Sequence, residues 1–234
     1  MFFDFFRRNR DMYSWKLSPK TFEKGNKNNY GGKVLLPQLV LEDLVTSQIL
    51  PPYTFEISHN DGVFLTHCGV LEFTSHHETI TVPEWMYQQL CMDETLQVVI
   101  KYKFISVGTF VKLLPHSVNF LEIESPKIEL EKCLRNYQVL TQGDEILCDF
   151  EEFGDIRFTV TSVGPAGDAI YIIDTDLSVD FQPPIGYAEK LENERTVMKY
   201  VEIVESENGI KYVKMKKLGL CLDFGEIETK TPKK

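Results

Sequence analysis

The chain has 234 residues, of which 43% are apolar and 26% are charged, and its formal net charge is −10. This composition is typical of a globular protein and excludes a largely disordered one, and the length is enough for one large domain or two small ones. Five cysteines without a Cys-x-x-Cys pair argue against a disulfide framework or a zinc ribbon, and no apolar run approaches the roughly 20 residues that a membrane helix needs.

The charge is unevenly distributed along the chain. Residues 1–20 carry five basic and two acidic side chains, residues 21–187 carry 10 and 24, and residues 188–234 carry 10 and 9. The acidic body repels phosphate backbones, which argues against nucleic acid as a partner and favours partners with basic faces. The aromatic start is followed, not preceded, by three arginines, unlike a secretory signal peptide. The sequence therefore predicts a cytoplasmic and nuclear protein without membrane insertion.

The first half of the chain reads as short strands separated by turns. Gly31-Gly32 indicates a turn into a first strand, where glycine provides positive φ or close approach, and a short helix is expected over Leu39–Val45. A second helix begins at Pro83, because proline is tolerated in a first helical turn, and runs to about Cys91. The further predicted strands are Phe55–His59, Val63–Thr66, Gly69–Phe73, Thr79–Val82, Leu96–Tyr102 and Phe110–Leu114.

A second set of elements follows. A helix opens at Ser125-Pro126 and runs to about Tyr137, with Leu130, Leu134 and Tyr137 on one face. The predicted strands after this helix are Glu145–Phe150, Arg157–Val163 and Ala169–Ile173, and a hairpin follows, with Val197–Glu205 and Ile210–Met215 flanking Asn208-Gly209.

These elements divide the chain into four predicted parts. They are an N-terminal segment over 1–20, a β-rich subdomain over 21–122, an α+β subdomain over 123–187 and a tail with a hairpin over 188–234.

His67 and Cys68 lie side by side in the run THCGVLEF and raise the question of a thiol enzyme. Adjacent residues of a strand point to opposite faces, so His67 is badly placed to deprotonate the Cys68 thiol. A working dyad needs another histidine supplied by the fold. That alternative, a barrel-fold enzyme of thiol hydrolase or decarboxylase type with Cys68 as the reactive residue, stays open. The simpler prediction is that Cys68 packs in a barrel and that Gly69 is a point of close backbone approach.

Other signatures of catalysis or metal binding are absent from the sequence. His76 and His77, with His67 or His59, lack the spacing and the additional ligands of a zinc site. The sequence GGK at 31–33 lacks the remainder of a P-loop, and no GxGxxG or GxSxG motif occurs. The residues therefore predict no catalytic group, metal or cofactor, and they favour a binding module over an enzyme.

Four blocks of the sequence resemble, in order and spacing, the ubiquitin fusion degradation protein 1 family. They are NYGGKVLLP (29–37), THCGVLEF with TVPEWMYQQL (66–73 and 81–90), PHSVNFLEIESPKIELEKCLRNYQVLTQGDEI (115–146) and DTDLSVDFQPPIGY (174–187). The resemblance covers nearly all of residues 2–187. The tail departs from the family, because the F-x-G-x-G core of its ATPase-docking motifs does not occur here.

The resemblance implies a mainly β fold with some α+β character. A double-psi β-barrel subdomain would be followed by a smaller α+β subdomain, like the N-domain of the AAA ATPase that the family serves. It also implies a non-enzymatic adaptor that binds ubiquitin and polyubiquitin chains. Members of the family pair with the nuclear protein localisation protein 4 homologue and recruit ubiquitylated proteins to the valosin-containing-protein-type AAA ATPase for proteasomal degradation. Docking to that ATPase, directly or through the partner, and recruitment to the ER surface are expectations from the resemblance.

The candidate binding residues fall in two stretches. Ubiquitin's usual recognition face is apolar with basic neighbours, so an acidic and partly apolar surface is its expected complement. Asp176, Asp180, Phe181 and Tyr187 are the predicted ubiquitin-binding residues, with packing at the end of the subdomain as the open alternative. In the tail hairpin, the predicted partner-binding residues are Val197, Tyr200, Ile203, Tyr212 and Val213, and a strand pair that merely finishes the domain is the alternative.

Overall fold

The computed structural model describes residues 13–59, 62–165 and 167–192, and the backbone of 201–205 and 211–215. The chain divides after Ile185 into two compact units. The first unit contains a barrel and a second, smaller subdomain.

Six strands form a closed barrel in the first unit, in the order β1-β5-β2-β4-β3-β6. Two of the pairings, β1 with β5 and β2 with β4, are parallel, and those of β3 with β4 and β6 are antiparallel. The strands are β1 (Ser14–Thr21), β2 (Lys33–Pro37), β3 (Thr54–His59), β4 (Phe64–Ser75), β5 (Thr79–Val82) and β6 (Val98–Tyr102). A 3-10 turn over Lys27–Tyr30 precedes β2, helix α1 (Gln38–Thr46) follows β2, and helix α2 (Glu84–Gln89) follows β5.

The barrel core follows from the alternation of side chains along each strand. In β3, Phe55 and Ile57 are fully buried, while Glu56 between them reaches the outer surface. Cys68 of β4 belongs to the same core and is fully buried, as predicted.

Two predictions for the barrel strands need correction. Val63–Thr66 and Gly69–Phe73 are not separate strands, because β4 continues through His67 and Cys68 and pairs with β3 there. The predicted N-terminal segment over 1–20 contributes Ser14–Thr21 to the barrel, where β1 pairs with β5 and β6.

The second subdomain is built on a four-stranded sheet in the order β12-β7-β10-β9. A separate pair, β8 with β11, lies beside it. The strands are β7 (Phe110–Pro115), β8 (Val139–Thr141), β9 (Glu145–Phe150), β10 (Gly154–Gly164), β11 (Ala169–Tyr171) and β12 (Ser178–Phe181). A 3-10 turn over Val118–Glu122 and helix α3 (Pro126–Leu134) connect β7 to β8.

The prediction of a mainly β fold, with a barrel subdomain and a smaller α+β subdomain, is confirmed. The strand that begins at Phe110, however, pairs with β10 and β12 and not with the barrel, whose last strand ends at Tyr102. We therefore propose a division between Tyr102 and Phe110 in place of the one predicted after residue 122.

The second unit contains one described strand pair. β13 (Val201–Glu205) and β14 (Lys211–Met215) are antiparallel, with Val201 opposite Met215 and Glu205 opposite Lys211. The predicted pairing of the tail strands is thus confirmed for these ten residues.

Candidate functional site

Three barrel glycines lie against one short segment of the second subdomain. A Cβ at Gly31 would come within 2.8 Å of the Asn136 carbonyl oxygen, and one at Gly32 within 2.7 Å of the Tyr137 ring. A Cβ at Gly69 would overlap the Gln138 side chain. The predicted close approach at these glycines is confirmed, and it serves to seat residues 136–138 against the barrel. We call this contact the seam.

Tyr137 anchors the seam between the two subdomains. Its ring is fully buried, with its centroid 6.2 Å from that of Trp85. Its hydroxyl donates to the Leu147 carbonyl at 2.7 Å and accepts from the Leu147 N–H at 3.1 Å. Helix α3 ends at Leu134 and not near Tyr137 as predicted, and Tyr137 N donates to the Leu134 carbonyl in the turn that follows.

A buried carboxylate completes the seam. Asp144, in the turn between β8 and β9, accepts from the Thr66 hydroxyl at 2.5 Å and from Gln89 Nε2 at 2.7 Å. Burial raises the pKa of Asp144 to about 6, although both hydrogen bonds favour the charged form. These contacts rigidify the junction, since a buried polar network that is satisfied specifies one arrangement of the groups around it.

His67 lies in the same junction and does not form a catalytic pair with Cys68. Its Nδ1 lies 3.2 Å from the Thr141 hydroxyl, and its Nε2 lies 4.0 Å from a Glu56 carboxylate oxygen without a hydrogen-bond partner among the described residues. Burial and the nearby Lys103 charge lower the pKa of His67 to about 4, against the attraction of Glu56. The ring is therefore neutral at pH 7.

Cys68 is placed for packing. Complete burial raises the pKa of its thiol far above the usual range, which removes the thiolate that nucleophilic chemistry requires. The described residues hold no group of three His, Cys, Asp or Glu side chains able to bind a metal ion. In the same residues, no helix is long and apolar enough to cross a membrane.

Two of the predicted ubiquitin-binding residues already have partners within the second subdomain. The Phe181 ring packs on Phe120, with centroids 4.9 Å apart. Asp180 pairs with Lys112 at 2.9 Å and accepts the Phe181 N–H at 2.9 Å. The Lys112 hydrogen bond, followed by this N–H, lowers the pKa of the Asp180 carboxyl, which stays exposed to solvent.

Asp176 lines a groove between α3 and the segment that leads into β12. We call it the β12 groove; its volume is about 650 Å³. The lining residues come from α3 (Lys127, Glu131 and Leu134), from Arg135 directly after it, from 172–177 and from Val179. Val179 and Asp180 are successive residues of a strand, so Asp180 points away from the groove that Val179 lines.

The two walls of the β12 groove differ in charge. The 172–177 wall presents the carboxylates of Asp174 and Asp176 beside three partly exposed apolar side chains, Ile172, Ile173 and Leu177. The α3 wall presents Lys127 and Arg135 around Glu131. Of the residues that line the groove, the sequence predicted only Asp176 as a binding residue. The lining residues of the α3 wall lie some forty positions earlier in the chain, and only the fold brings them close to Asp176.

The remaining predicted binding residues belong to the second unit. Tyr187 begins a helical turn and is partly exposed. Ile203 lies opposite Val213, and Tyr212 opposite Val204, in the strand pair. Val197 and Tyr200 lie outside the described residues. All of these assignments stay predictions.

Two models of one protein family match residues 9–184 of this chain. A family model described as "Ubiquitin fusion degradation protein UFD1, N-terminal subdomain 1" matches residues 9–106, and the corresponding subdomain 2 model matches residues 107–184. The chain belongs to the ubiquitin fusion degradation protein 1 family. The two matches meet between β6 and β7, where the barrel gives way to the second sheet.

Curated relatives agree with this family. The chain is 38% identical over 174 residues to "Ubiquitin fusion degradation protein 1 homolog" of Caenorhabditis elegans, which covers 74% of this chain and 50% of the relative. It is 36% identical over 178 residues to "Ubiquitin recognition factor in ER-associated degradation protein 1" of Mus musculus, and this match covers 76% of the present chain and 56% of the relative. It is 37% identical over 163 residues to "Ubiquitin fusion degradation protein 1" of Saccharomyces cerevisiae, and this match covers 69% of the present chain and 45% of the relative. The chain thus spans about half the length of the relatives it matches.

Three of the four family-like blocks meet in the seam. Gly31 and Gly32 come from the first block, Thr66, Gly69, Trp85 and Gln89 from the second, and residues 136–144 from the third. These ubiquitin fusion degradation protein 1 motifs therefore hold the subdomains together. Residues of the third and fourth blocks also line the exposed β12 groove, with Ile172 and Ile173 as the exceptions.

Proposed function

We propose that this chain is a non-enzymatic adaptor that binds ubiquitin and polyubiquitin chains for protein degradation. The observation that carries the proposal is the match of residues 9–184 to the ubiquitin fusion degradation protein 1 family, one of whose relatives is named as a ubiquitin recognition factor. A buried, protonated Cys68 and a neutral His67 support binding over catalysis.

The β12 groove is the surface that we propose for ubiquitin. Its 172–177 wall offers carboxylates beside apolar side chains, the expected complement of an apolar face with basic neighbours. Of the residues predicted from sequence, Asp176 fits this role directly. Phe181 packs on Phe120 and lies outside the groove lining, and Asp180 pairs with Lys112 on the opposite side of β12.

The partners that we propose for this adaptor are those that the family resemblance implies. We propose that it pairs with the nuclear protein localisation protein 4 homologue through the tail strands β13 and β14. With that partner it would recruit ubiquitylated proteins to the valosin-containing-protein-type AAA ATPase, in the cytoplasm and nucleus and at the ER surface. Ile203, Tyr212 and Val213, together with Val197 and Tyr200, are the proposed contacts.

Ubiquitin titration of the isotope-labelled full chain, followed by amide NMR, tests the groove. We expect the largest shifts at 172–179 and on α3, with barrel amides such as those of β5 unchanged. Binding with shifts confined to other regions would reject the groove but keep the function. Absence of binding to monomeric ubiquitin and to chains would reject the function.

A pull-down tests the partner proposal separately. The full chain and a version that ends at residue 192 are each mixed with the purified partner cofactor. We expect only the full chain to retain it, because β13 and β14 lie beyond residue 192. Equal retention of the partner by both versions would show that the tail is not part of the interface.

A further inference from the structure

The four-stranded sheet of the second subdomain has two edge strands, β9 and β12, and their outward backbone groups differ in how they are bonded. On β9 these groups are closed by side chains. The Tyr137 hydroxyl donates to the Leu147 carbonyl at 2.7 Å and accepts from the Leu147 N–H at 3.1 Å. Two residues further along, the Asp149 carbonyl accepts from Cys133 Sγ at 3.2 Å. The β9 edge is therefore already occupied by groups of this chain.

The β12 edge is open at Val179. Ser178 N donates to the Thr109 carbonyl at 3.0 Å, and Gln182 N, directly after the strand, donates to the Leu113 carbonyl at 2.8 Å. Successive residues of a strand direct their backbone groups to opposite sides, so the N–H and carbonyl of Val179 face away from β7. Among the described residues, no backbone or side-chain group bonds to either of them.

The next outward N–H of β12 is closed by a side chain. Phe181 N donates to Asp180 Oδ1 at 2.9 Å, and Asp180 Oδ2 pairs with Lys112 Nζ at 2.9 Å. Charged side chains of this kind protect edge strands from unwanted pairing. Within β12 the open part of the edge is therefore Val179, whose side chain also lines the β12 groove.

We propose that ubiquitin binds at the β12 groove by strand addition, with an extended segment of ubiquitin pairing with Val179 as a fifth strand of the sheet. This inference rests on the proposed ubiquitin-binding function and specifies how that binding occurs. In strand addition, main-chain hydrogen bonds provide affinity and the pockets for alternate side chains provide specificity. In an antiparallel arrangement, one residue of the added segment would exchange both of its hydrogen bonds with Val179.

The groove determines which side chains the added segment carries. Side chains that point to the groove side meet Leu177 and Val179, which are apolar and partly exposed. Asp174 and Asp176, both exposed, present carboxylates just before β12, where a lysine or arginine of the segment is the complement. This combination of apolar and basic side chains is the chemistry expected of ubiquitin. A second copy of this chain is a poorer complement, because two chains of formal charge −10 repel each other.

Amide hydrogen exchange of the isotope-labelled full chain, with unlabelled ubiquitin as the probe, tests the pairing. In the free chain the Val179 N–H should exchange rapidly, because no group bonds to it. The Ser178 N–H, which is bonded to Thr109, should exchange slowly and serves as the internal control. Saturating ubiquitin should slow the exchange at Val179 by at least about tenfold and change that at Ser178 much less.

Two substitutions at Val179 separate the backbone from the side chain. Val179→Pro removes the outward N–H, and proline is accepted in edge strands where the N–H faces solvent. We expect it to raise the Kd for ubiquitin about tenfold. Val179→Ile, the matched control, keeps the N–H and an apolar, β-branched side chain and should bind within about threefold of wild type. Slow exchange at Ser178 and thermal unfolding report whether each variant is folded.

The outcomes distinguish this inference from the function on which it rests. Ubiquitin that binds wild type without slowing exchange at Val179 would overturn strand addition and leave ubiquitin binding intact, as would a folded Val179→Pro of wild-type affinity. A Val179 N–H that becomes protected in the free chain as its concentration rises would assign the edge to a second copy, which also overturns the inference. Absence of ubiquitin binding to wild type would reject the function itself. The exchange experiment needs only the wild-type chain, so it decides the question even where Val179→Pro does not fold.

Discussion

The Asp144 carboxylate accepts a 2.5 Å hydrogen bond from the Thr66 hydroxyl, which is 78 residues earlier in the chain. Its other oxygen accepts from Gln89, whose own carbonyl oxygen receives the Glu145 N–H at 2.8 Å. The barrel thus holds the second subdomain through one buried acid and its neighbours. His67 lies in the same junction. The seam therefore contains one group whose pKa is raised, Asp144, and one whose pKa is lowered, His67.

Replacing Asp144 by asparagine should change how stability depends on pH. The folded pKa of Asp144, about 6, exceeds its ordinary value of 3.8, so the acid contributes stability below pH 3.8 that is lost as the pH rises through 6. An asparagine keeps hydrogen-bonding groups at both positions but does not titrate. Between pH 4 and 7 we expect the free energy of unfolding of Asp144→Asn to rise relative to wild type by on the order of 3 kcal/mol.

Urea unfolding at several pH values in one buffer measures this difference. Asp155→Asn, which removes an exposed carboxylate by the same substitution, is the matched control. A difference between Asp144→Asn and wild type that stays constant across the range would show that Asp144 titrates normally.

Replacing His67 by glutamine should produce the opposite trend. The folded pKa of His67, about 4, lies below its ordinary value of 6.5, so its stabilising effect is present above pH 6.5 and is lost as the pH falls through 4. His67→Gln lacks this loss. Its stability relative to wild type should therefore improve as the pH is lowered from 7 to 4, by on the order of 3 kcal/mol. The same urea series measures it, and a parallel shift with Asp144→Asn would contradict the assignment of signs.

Adding one methyl group at Gly69 should destabilise the seam. The Cβ of an alanine would overlap the Gln138 side chain, whose Nε2 is held by the Tyr53 carbonyl at 3.1 Å. Overpacking of this kind costs about 1–3 kcal/mol. In Gly164→Ala, the control, the new Cβ would lie 3.5 Å from Phe110, an ordinary contact. Thermal and urea unfolding of both variants should show a loss for Gly69→Ala alone; equal losses would mean that the effect is not specific to the seam.

Local patterning was enough to predict the strands whose side chains alternate. Glu145–Phe150 was predicted with its observed bounds, and Phe55–His59 differs from the observed Thr54–His59 by one residue at its start, because each strand buries one face on a core. Ser14–Thr21 escaped prediction although Trp15, Leu17 and Pro19 alternate with polar residues and face the core. A proline inside a run argues against a central strand, and this proline masked the alternation.

The candidate site was much less accessible to prediction than the fold. Asp176 could be suggested from composition, but Glu131 and Arg135 reach the β12 groove through the packing of α3, which no local period records. Phe181 shows the converse. Its aromatic character suggested a binding residue, and the fold places its ring against Phe120. The Thr66–Asp144 hydrogen bond could not be predicted from the sequence either, because the two residues are 78 positions apart.

Reversing the charge of Asp176 should weaken ubiquitin binding. In Asp176→Lys a cation replaces the carboxylate on the acidic wall of the β12 groove, where the proposed partner presents basic residues. We expect the Kd to rise about tenfold, or about 1.4 kcal/mol. Glu94→Lys makes the same charge change at an exposed barrel position and should have little effect.

Fluorescence titration at low and at moderate salt separates a specific contact from overall charge. Wild-type affinity should fall as salt rises, and that of Asp176→Lys should fall less, since a favourable ion pair has been removed. Equal weakening by the two variants would indicate that net charge alone, and not the groove, sets the affinity.

Substitutions at Cys68 distinguish packing from catalysis. Cys68 is fully buried in the barrel core, so Cys68→Ala should lose packing at a cost of about 1 kcal/mol. Cys68→Ser should cost more, about 1–3 kcal/mol, because it buries a hydroxyl among apolar side chains. Both variants should bind ubiquitin chains with wild-type affinity wherever they are folded, because the β12 groove belongs to the other subdomain. A folded Cys68→Ala that no longer binds chains would show that the thiol has a direct role.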